Sequence, residues 1–146
     1  MKYNLFIING PNLNLLGKRQ PDIYGEMGFE EYFKSLENDF NHVNLNYFQS
    51  NHEGELIDFL HEIGFRENSA AVMNPGGLSH YSVSLLDAIY AIEIPVVEVH
   101  ISQPQTRESF RHTLLTSQAC VATYSGHGLA GYNMAIEFII NNFSNK

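Results

Sequence analysis

Ser69-Ala-Ala-Val-Met-Asn-Pro-Gly-Gly77, read with Pro95-Val-Val-Glu-Val-His-Ile101, decides the fold of this chain. Ser69–Met73 is a short apolar run with strand length, and Asn74-Pro75-Gly76-Gly77 stops it. Between the two quoted segments, Val83, Leu86 and Tyr90 recur at helical spacing, so 80–92 reads as a helix. Pro95–Ile101 is a second apolar strand. Strand, helix, strand in this order builds a parallel pair with the helix packed across it.

The same unit repeats in both directions. Tyr3–Ile8 reads as a first strand, and Phe29, Phe33, Leu36 and Phe40 mark a helix after it. Val43–Gln49 is strand-like, with Val43, Leu45 and Tyr47 on one face. Leu56, Ile57, Leu60 and Ile63 mark the next helix, with Ser50 and Asn51 as candidate caps and Gly64 as its stop. Downstream of Ile101, the spacing predicts a short helix over 106–115, capped by Thr106. A fifth strand over 119–124, a glycine-rich turn over 126–131 and a last helix over 132–143 complete the chain. Five strand–helix units predict an α/β fold, a flavodoxin-like three-layer sandwich with a five-stranded parallel sheet in the order 2-1-3-4-5. Residues 1–146 read as a single domain, without internal repeats or low-complexity segments.

Composition narrows the function. The formal net charge is −8 and only 16% of residues are charged. That balance argues against nucleic acid, whose binding rests on cationic contacts to phosphate, and against an anionic membrane surface. A small anionic substrate stays open, because local charge decides it. Four of the eight Lys and Arg residues, Lys18, Arg19, Arg107 and Arg111, fall in two short stretches. The lone cysteine, Cys120, forms no intramolecular disulfide and reads as core. The apolar run Leu5–Ile8 is shorter than a secretory signal core, and no run is long enough to cross a bilayer. A cytoplasmic enzyme is the expectation.

In such sheets ligands bind beyond the carboxyl ends of the strands. Strands one, three and four should be neighbours, and their ends carry the unusual residues. The first cluster is Asn9-Gly-Pro-Asn-Leu-Asn-Leu-Leu-Gly17, then Arg19 and Tyr24-Gly25. It follows strand one but matches no phosphate-binding fingerprint. A tyrosine is a base only when its pKa, ordinarily about 10, is brought down, and lowering it to about 7 takes about 4 kcal/mol. One or two desolvated arginines supply that order of energy. The alternative for Tyr24 is an aromatic that packs over the domain. The second cluster is Asn74 to His80, with Asp87 further on; a helix cap and a solvated acid would explain these as well. The third is Glu98-Val-His100-Ile-Ser102 with Arg107 and Arg111. Glu98 and His100 are two apart on a strand and share a face, so the carboxylate can orient the imidazole and favour its protonated form. Backbone N–H groups near Ile101 and Ser102 could cradle a carboxylate, and Arg107 and Arg111 would share a helical face. A structural histidine remains the bland alternative. The seven histidines are scattered and show no zinc-site spacing.

Together these stretches resemble the type II dehydroquinases over nearly the whole chain, from Tyr3 to Phe138. Four segments carry the resemblance in order: Ile8–Gly17 with Arg19 and Tyr24-Gly25; Gln49-Ser-Asn-His-Glu-Gly54; Asn74–His80 with Asp87-Ala88; and Glu98–Ser102 with Arg107-Glu108 and Phe110-Arg111-His112. The resemblance implies dehydration of 3-dehydroquinate to 3-dehydroshikimate by anti elimination through an enolate, with no metal or organic cofactor. It implies Tyr24 as the base that removes the proton beside the ketone, with Arg19 lowering its pKa. It implies Asn12 as an enolate stabiliser through water, and His100 as the acid, oriented by Glu98. Asn74, His80 and Arg111 would bind substrate hydroxyls, and Ile101 and Ser102 its carboxylate. Asp87 would serve a neighbouring subunit in a homododecamer built from trimers. The implied role is the shikimate pathway of aromatic amino acid biosynthesis, the same reaction also serving quinate catabolism. Gln20, Gln103, Ser79 and the 123–128 stretch depart from the common pattern. The loop over 12–25 is expected to close over the substrate. Two other readings compete: a non-catalytic flavodoxin-like binding module, which leaves the Tyr24, Arg19 and His100 constellation unexplained, and a metal-assisted hydrolase using the histidines.

Overall fold

In β1, Asn4–Asn9, Leu5 and Ile7 point to one face of the sheet and Phe6 and Ile8 to the other, and all four are buried. A strand apolar on both faces must lie inside a sheet with helices on each side. The computed structural model, which describes residues 2–18, 22 and 26–144, shows that arrangement. The further strands are β2 Asn44–Gln49, β3 Ser69–Asn74, β4 Val96–His100 and β5 Ala122–Ser125. All neighbours pair in parallel, in the order β2-β1-β3-β4-β5. The expected strand order and the adjacency of β1, β3 and β4 are thus observed.

Four helices cover the sheet among the described residues: α1 Phe29–Asp39, α2 Glu53–Ile63, α3 Val83–Ala91 and α4 Ala130–Asn142. Helices α1 and α4 pack on one face, where Phe29, Leu36, Tyr132 and Ile136 meet Leu5, Ile7, Val72 and Val99. Helices α2 and α3 pack on the other, where Leu56, Leu60, Leu85 and Ile89 meet Phe6, Ile8, Ala71 and Met73. Each such aliphatic side chain contributes about 1.5–3 kcal/mol on full burial. The edge strand β2 keeps Asn44 and Asn46 exposed, polar residues on a sheet edge.

Several local expectations change. The short helix over 106–115 does not form. The segment is broken into single turns of 3₁₀ helix, Pro104–Thr106, Ser109–Arg111 and Thr116–Ala119. The Thr106 hydroxyl donates back to the Gln103 carbonyl at 2.8 Å instead of capping, and Arg107 is extended at φ −104° and ψ −164°. Arg107 and Arg111 therefore share no helical face. The turn at Thr116–Ala119 also takes the first residue expected in β5, which begins at Ala122. His80 closes a 3₁₀ turn, Gly76–His80, and α3 starts later, at Val83, with Ser82 Oγ accepting from Leu85 N–H at 3.0 Å. Ser50 does serve the start of α2, accepting from His52 N–H at 2.9 Å and donating to Glu55. Asn51 instead holds the first loop, as shown below. Cys120 is partly buried against the α2–α3 core, and burial with the nearby Glu98 charge pushes its thiol pKa up.

The end of β1 runs tight against the end of β3. A Cβ on Gly10 would lie 2.6 Å from the Pro75 carbonyl oxygen, a contact with backbone that cannot swing away. We expect Gly10→Ala to lose about 1–3 kcal/mol of stability, the cost of forcing extra bulk into packed structure. Denaturant unfolding of wild type and variant checks this; an unchanged midpoint would contradict it.

Candidate active site

The carboxyl ends of β1, β3 and β4 open into one pocket of about 240 Å³. Asn12, Asn74, His80, His100, Ile101, Ser102 and Arg111 all line it, and so does Arg107. Seven of the anticipated site residues, from three separate stretches of sequence, are brought together. Glu98 lies directly beneath, fully buried behind His100. Asp87 is not brought in: it is exposed on α3 and absent from the pocket lining. Arg19, Tyr24 and the departing residue Gln20 lie outside the described residues.

Each wall has a local cause. Asn12 adopts a left-handed backbone, φ 71°, which asparagine tolerates, and its N–H donates to Asn51 Oδ1 at 2.9 Å. Gln49 donates to the same Asn51 oxygen and to the Gly10 carbonyl, so the end of β2 pins the loop after β1. Asn74, the last residue of β3, accepts from Gly76 N–H at 3.1 Å. Gly76 takes φ +62° as the chain turns under Pro11, which suits glycine.

A buried polar network fixes Asn74 from below. Its Nδ2 donates to the Tyr132 hydroxyl at 3.1 Å, and Tyr132 donates to Asn9 Oδ1 at 2.7 Å. Asn9 in turn donates to Tyr47 at 3.3 Å. Tyr132 is fully buried, and burial raises its pKa, so the phenol is a neutral linker. Tyr132→Phe should cost about 1–3 kcal/mol, because both amides lose their buried partner. Equal denaturation midpoints for the two proteins would show that the link carries no stability.

The histidines differ in character. His100 Nε2 lies 2.8 Å from Glu98 Oε2, both groups buried, and the Thr116 hydroxyl donates to Glu98 Oε1. That leaves His100 Nδ1 as the nitrogen able to serve a ligand. His80 sits across the pocket, its ring centroid 6.4 Å from that of His100. Its Nδ1 is 2.8 Å from the Thr113 carbonyl, which can only accept, so Nδ1 carries the hydrogen. Burial, then the neighbouring His100 and Arg111, lower the His80 pKa against the opposing pull of the Thr113 carbonyl, leaving it neutral near pH 7. Arg111 pairs with Glu108 at 3.1 Å while keeping its place in the wall. Arg107 donates to Ser102 Oγ at 3.3 Å, beside the backbone of Ile101 and Ser102. Behind them, Gly126 N–H donates to the carbonyls of His100 and Ser102, and Gly128 N–H to that of Ile101. The two departing segments meet here, since Gly126 packs against Gln103.

Three contributors were missed in the sequence. Tyr132 stands 58 and 123 residues from the two amides it binds, and Thr116 stands 18 from Glu98. Asn51 lies in a stretch singled out only as a resemblance and a cap. No local pattern marks a hydroxyl that reaches a carboxylate across a fold.

The fold and site define an α/β protein with a small-molecule pocket at the carboxyl edge of its sheet, floored by a buried carboxylate–imidazole pair suited to proton transfer. The sequence model of the family described as dehydroquinase class II matches residues 3–140, and the chain belongs to that family. A Clostridium botulinum (strain Loch Maree, type A3) protein named 3-dehydroquinate dehydratase is 49% identical over 143 residues, covering 97% of each chain. The crystal structure of the type II dehydroquinase from Butyrivibrio crossotus superposes with a TM-score of 0.88 at 38% identity, covering 94% of this chain and 97% of that one. The type II dehydroquinase from Propionibacterium acnes gives 0.91 at 30% identity, covering 97% and 99%.

Proposed function

We propose that this chain is a type II 3-dehydroquinate dehydratase. It eliminates water from 3-dehydroquinate to give 3-dehydroshikimate, by anti elimination through an enolate, in the shikimate pathway of the cytoplasm. The observation that carries the reading is the Glu98–His100 pair at the floor of a pocket ringed by Asn74, His80 and Arg111, in a chain of this family.

Elimination beside a ketone needs three things: a base for the α-proton, donors for the developing enolate oxygen, and an acid for the leaving hydroxyl. In this reading Tyr24 is the base, with Arg19 stabilising its tyrosinate. Asn12 helps hold the enolate through water. His100 Nδ1 delivers the proton to the departing hydroxyl, and Glu98 keeps the ring oriented and favours its charged form. Asn74, His80 and Arg111 bind substrate hydroxyls; the neutral His80 can accept at Nε2 while Asn74 donates. Ile101 and Ser102 receive the carboxylate, with Arg107 nearby to favour it. A ketone enolises without a Schiff base, so neither a catalytic lysine nor a metal is required. Exposed Asp87 would act on a neighbouring subunit's site in a homo-oligomer, a dodecamer built from trimers.

Incubation with 3-dehydroquinate tests this by the ultraviolet absorbance of the conjugated enone product. We expect absorbance that grows with enzyme and is unaffected by chelator or by borohydride added with substrate. Loss of activity to borohydride, with a substrate adduct on lysine, would overturn the enolate route.

A further inference from the structure

We propose that Thr116 is a positioning residue for the acid of this reaction: its hydroxyl, rather than packing alone, keeps Glu98 ionised and aimed at His100. The inference rests on the functional reading above but concerns a residue outside the substrate pocket.

Glu98 sits on a central strand with no solvent exposure. A buried carboxylate stays charged only if its oxygens are satisfied. Among the described residues the hydrogen bonds to its side chain are His100 Nε2 on Oε2 and the Thr116 hydroxyl on Oε1. Thr116 is itself fully buried, in the turn Thr116–Ala119. A carboxylate only accepts, so the single hydroxyl proton of Thr116 is committed to it. Donation to the charged form favours ionisation, and an ionised Glu98 favours a protonated His100.

The surroundings make that help necessary. His80, Arg107 and Arg111 line the same pocket as His100, and the two guanidiniums oppose a further positive charge there. Cys120 also lies near Glu98, and burial and the Glu98 charge keep its thiol neutral. Glu108 pairs with both arginines at the exposed side, 3.1 Å from Arg111 and 4.0 Å from Arg107, while Glu98 is the buried anion against His100 itself. Without the Thr116 donor the proton shared by the pair spends more time on Glu98, and the carboxylate is free to turn away from the ring.

Three variants test this: Thr116→Val, which keeps the shape, Thr116→Ser, which keeps the donor, and Thr116→Ala, which drops the donor without adding bulk. We expect Thr116→Val to lower kcat on 3-dehydroquinate by about 10- to 100-fold, the worth of a charge-assisted hydrogen bond. KM should stay within about twofold, and Thr116→Ser should hold near wild-type kcat. Nitrogen-15 NMR of histidine-labelled protein gives a readout independent of turnover. At one fixed pH the His100 ring-nitrogen signals should shift toward those of neutral imidazole in Thr116→Val, because the shared proton moves to Glu98, and should match wild type in Thr116→Ser. If Thr116→Val fails to fold, Thr116→Ala carries the same comparison. Equal losses in Ser and Val variants, or unmoved His100 ring-nitrogen signals in Thr116→Val, would reduce Thr116 to packing and overturn the proposal. A wild type that turns over no 3-dehydroquinate would defeat the functional reading instead, and the His100 signals would still decide the role of Thr116.

Discussion

Tyr24→Phe lowers kcat by about 10²–10⁴-fold, the usual contribution of a positioned base, while the protein keeps its fold and its affinity for a substrate-like anion. The expectation follows from chemistry as much as from resemblance. The proton beside a ketone is weakly acidic, and phenylalanine offers nothing to receive it. The pocket already holds a candidate acid, in the Glu98–His100 pair, and substrate ligands in Asn74, His80 and Arg111. His80, held neutral by its burial and its charged neighbours, is the competing candidate base. Steady-state kinetics on Tyr24→Phe and His80→Ala separate the two. A Tyr24→Phe enzyme retaining kcat within about threefold, beside an inactive His80→Ala, would transfer the role to His80.

His100→Ala is expected to cost twice over. Losing the acid should lower kcat by about 10²–10⁴-fold. It also strips a buried carboxylate of its partner, and breaking a buried charged pair costs about 3–5 kcal/mol. The variant should therefore melt well below wild type near pH 7. Glu98 would be left with the Thr116 hydroxyl alone among the partners described. Thermal melts of the two proteins read this directly. Equal melting temperatures would mean that the contact between Glu98 and His100 carries no stability.

The sheet was legible because its strands are short apolar runs cut by strong stops. Asn74-Pro75-Gly76-Gly77 ends β3 where the pattern says it should, and β1, β3 and β4 lie side by side as expected. Most of the pocket was legible for the same reason. In a parallel sheet, residues at the carboxyl ends of adjacent strands converge, so Asn74, His100 and Ser102 meet without any knowledge of loops. The segment over 104–119 was not legible. Its helical spacing of Arg107 and Arg111 is real in sequence, but Pro104, the Thr106–Gln103 hydrogen bond and the extended Arg107 divide it into turns. The supporting network was equally hidden, since Tyr132 reaches Asn9 and Asn74 from the last helix. Asp87 lies exposed on α3, outside the lining of its own chain's pocket, and nothing in a single chain's pattern says what it meets.

The most direct test of the central claim uses 3-dehydroquinate with deuterium in place of one of the two hydrogens on the methylene carbon between the ketone and the carbon bearing the departing hydroxyl, each epimer prepared stereospecifically. Elimination through an enolate with base and acid on opposite sides removes the hydrogen anti to the departing hydroxyl. We predict dehydroshikimate that has lost deuterium when the label is anti and has kept it when the label is syn. Retention of the anti label with loss of the syn label would contradict the mechanism, and no product from either substrate would contradict the function.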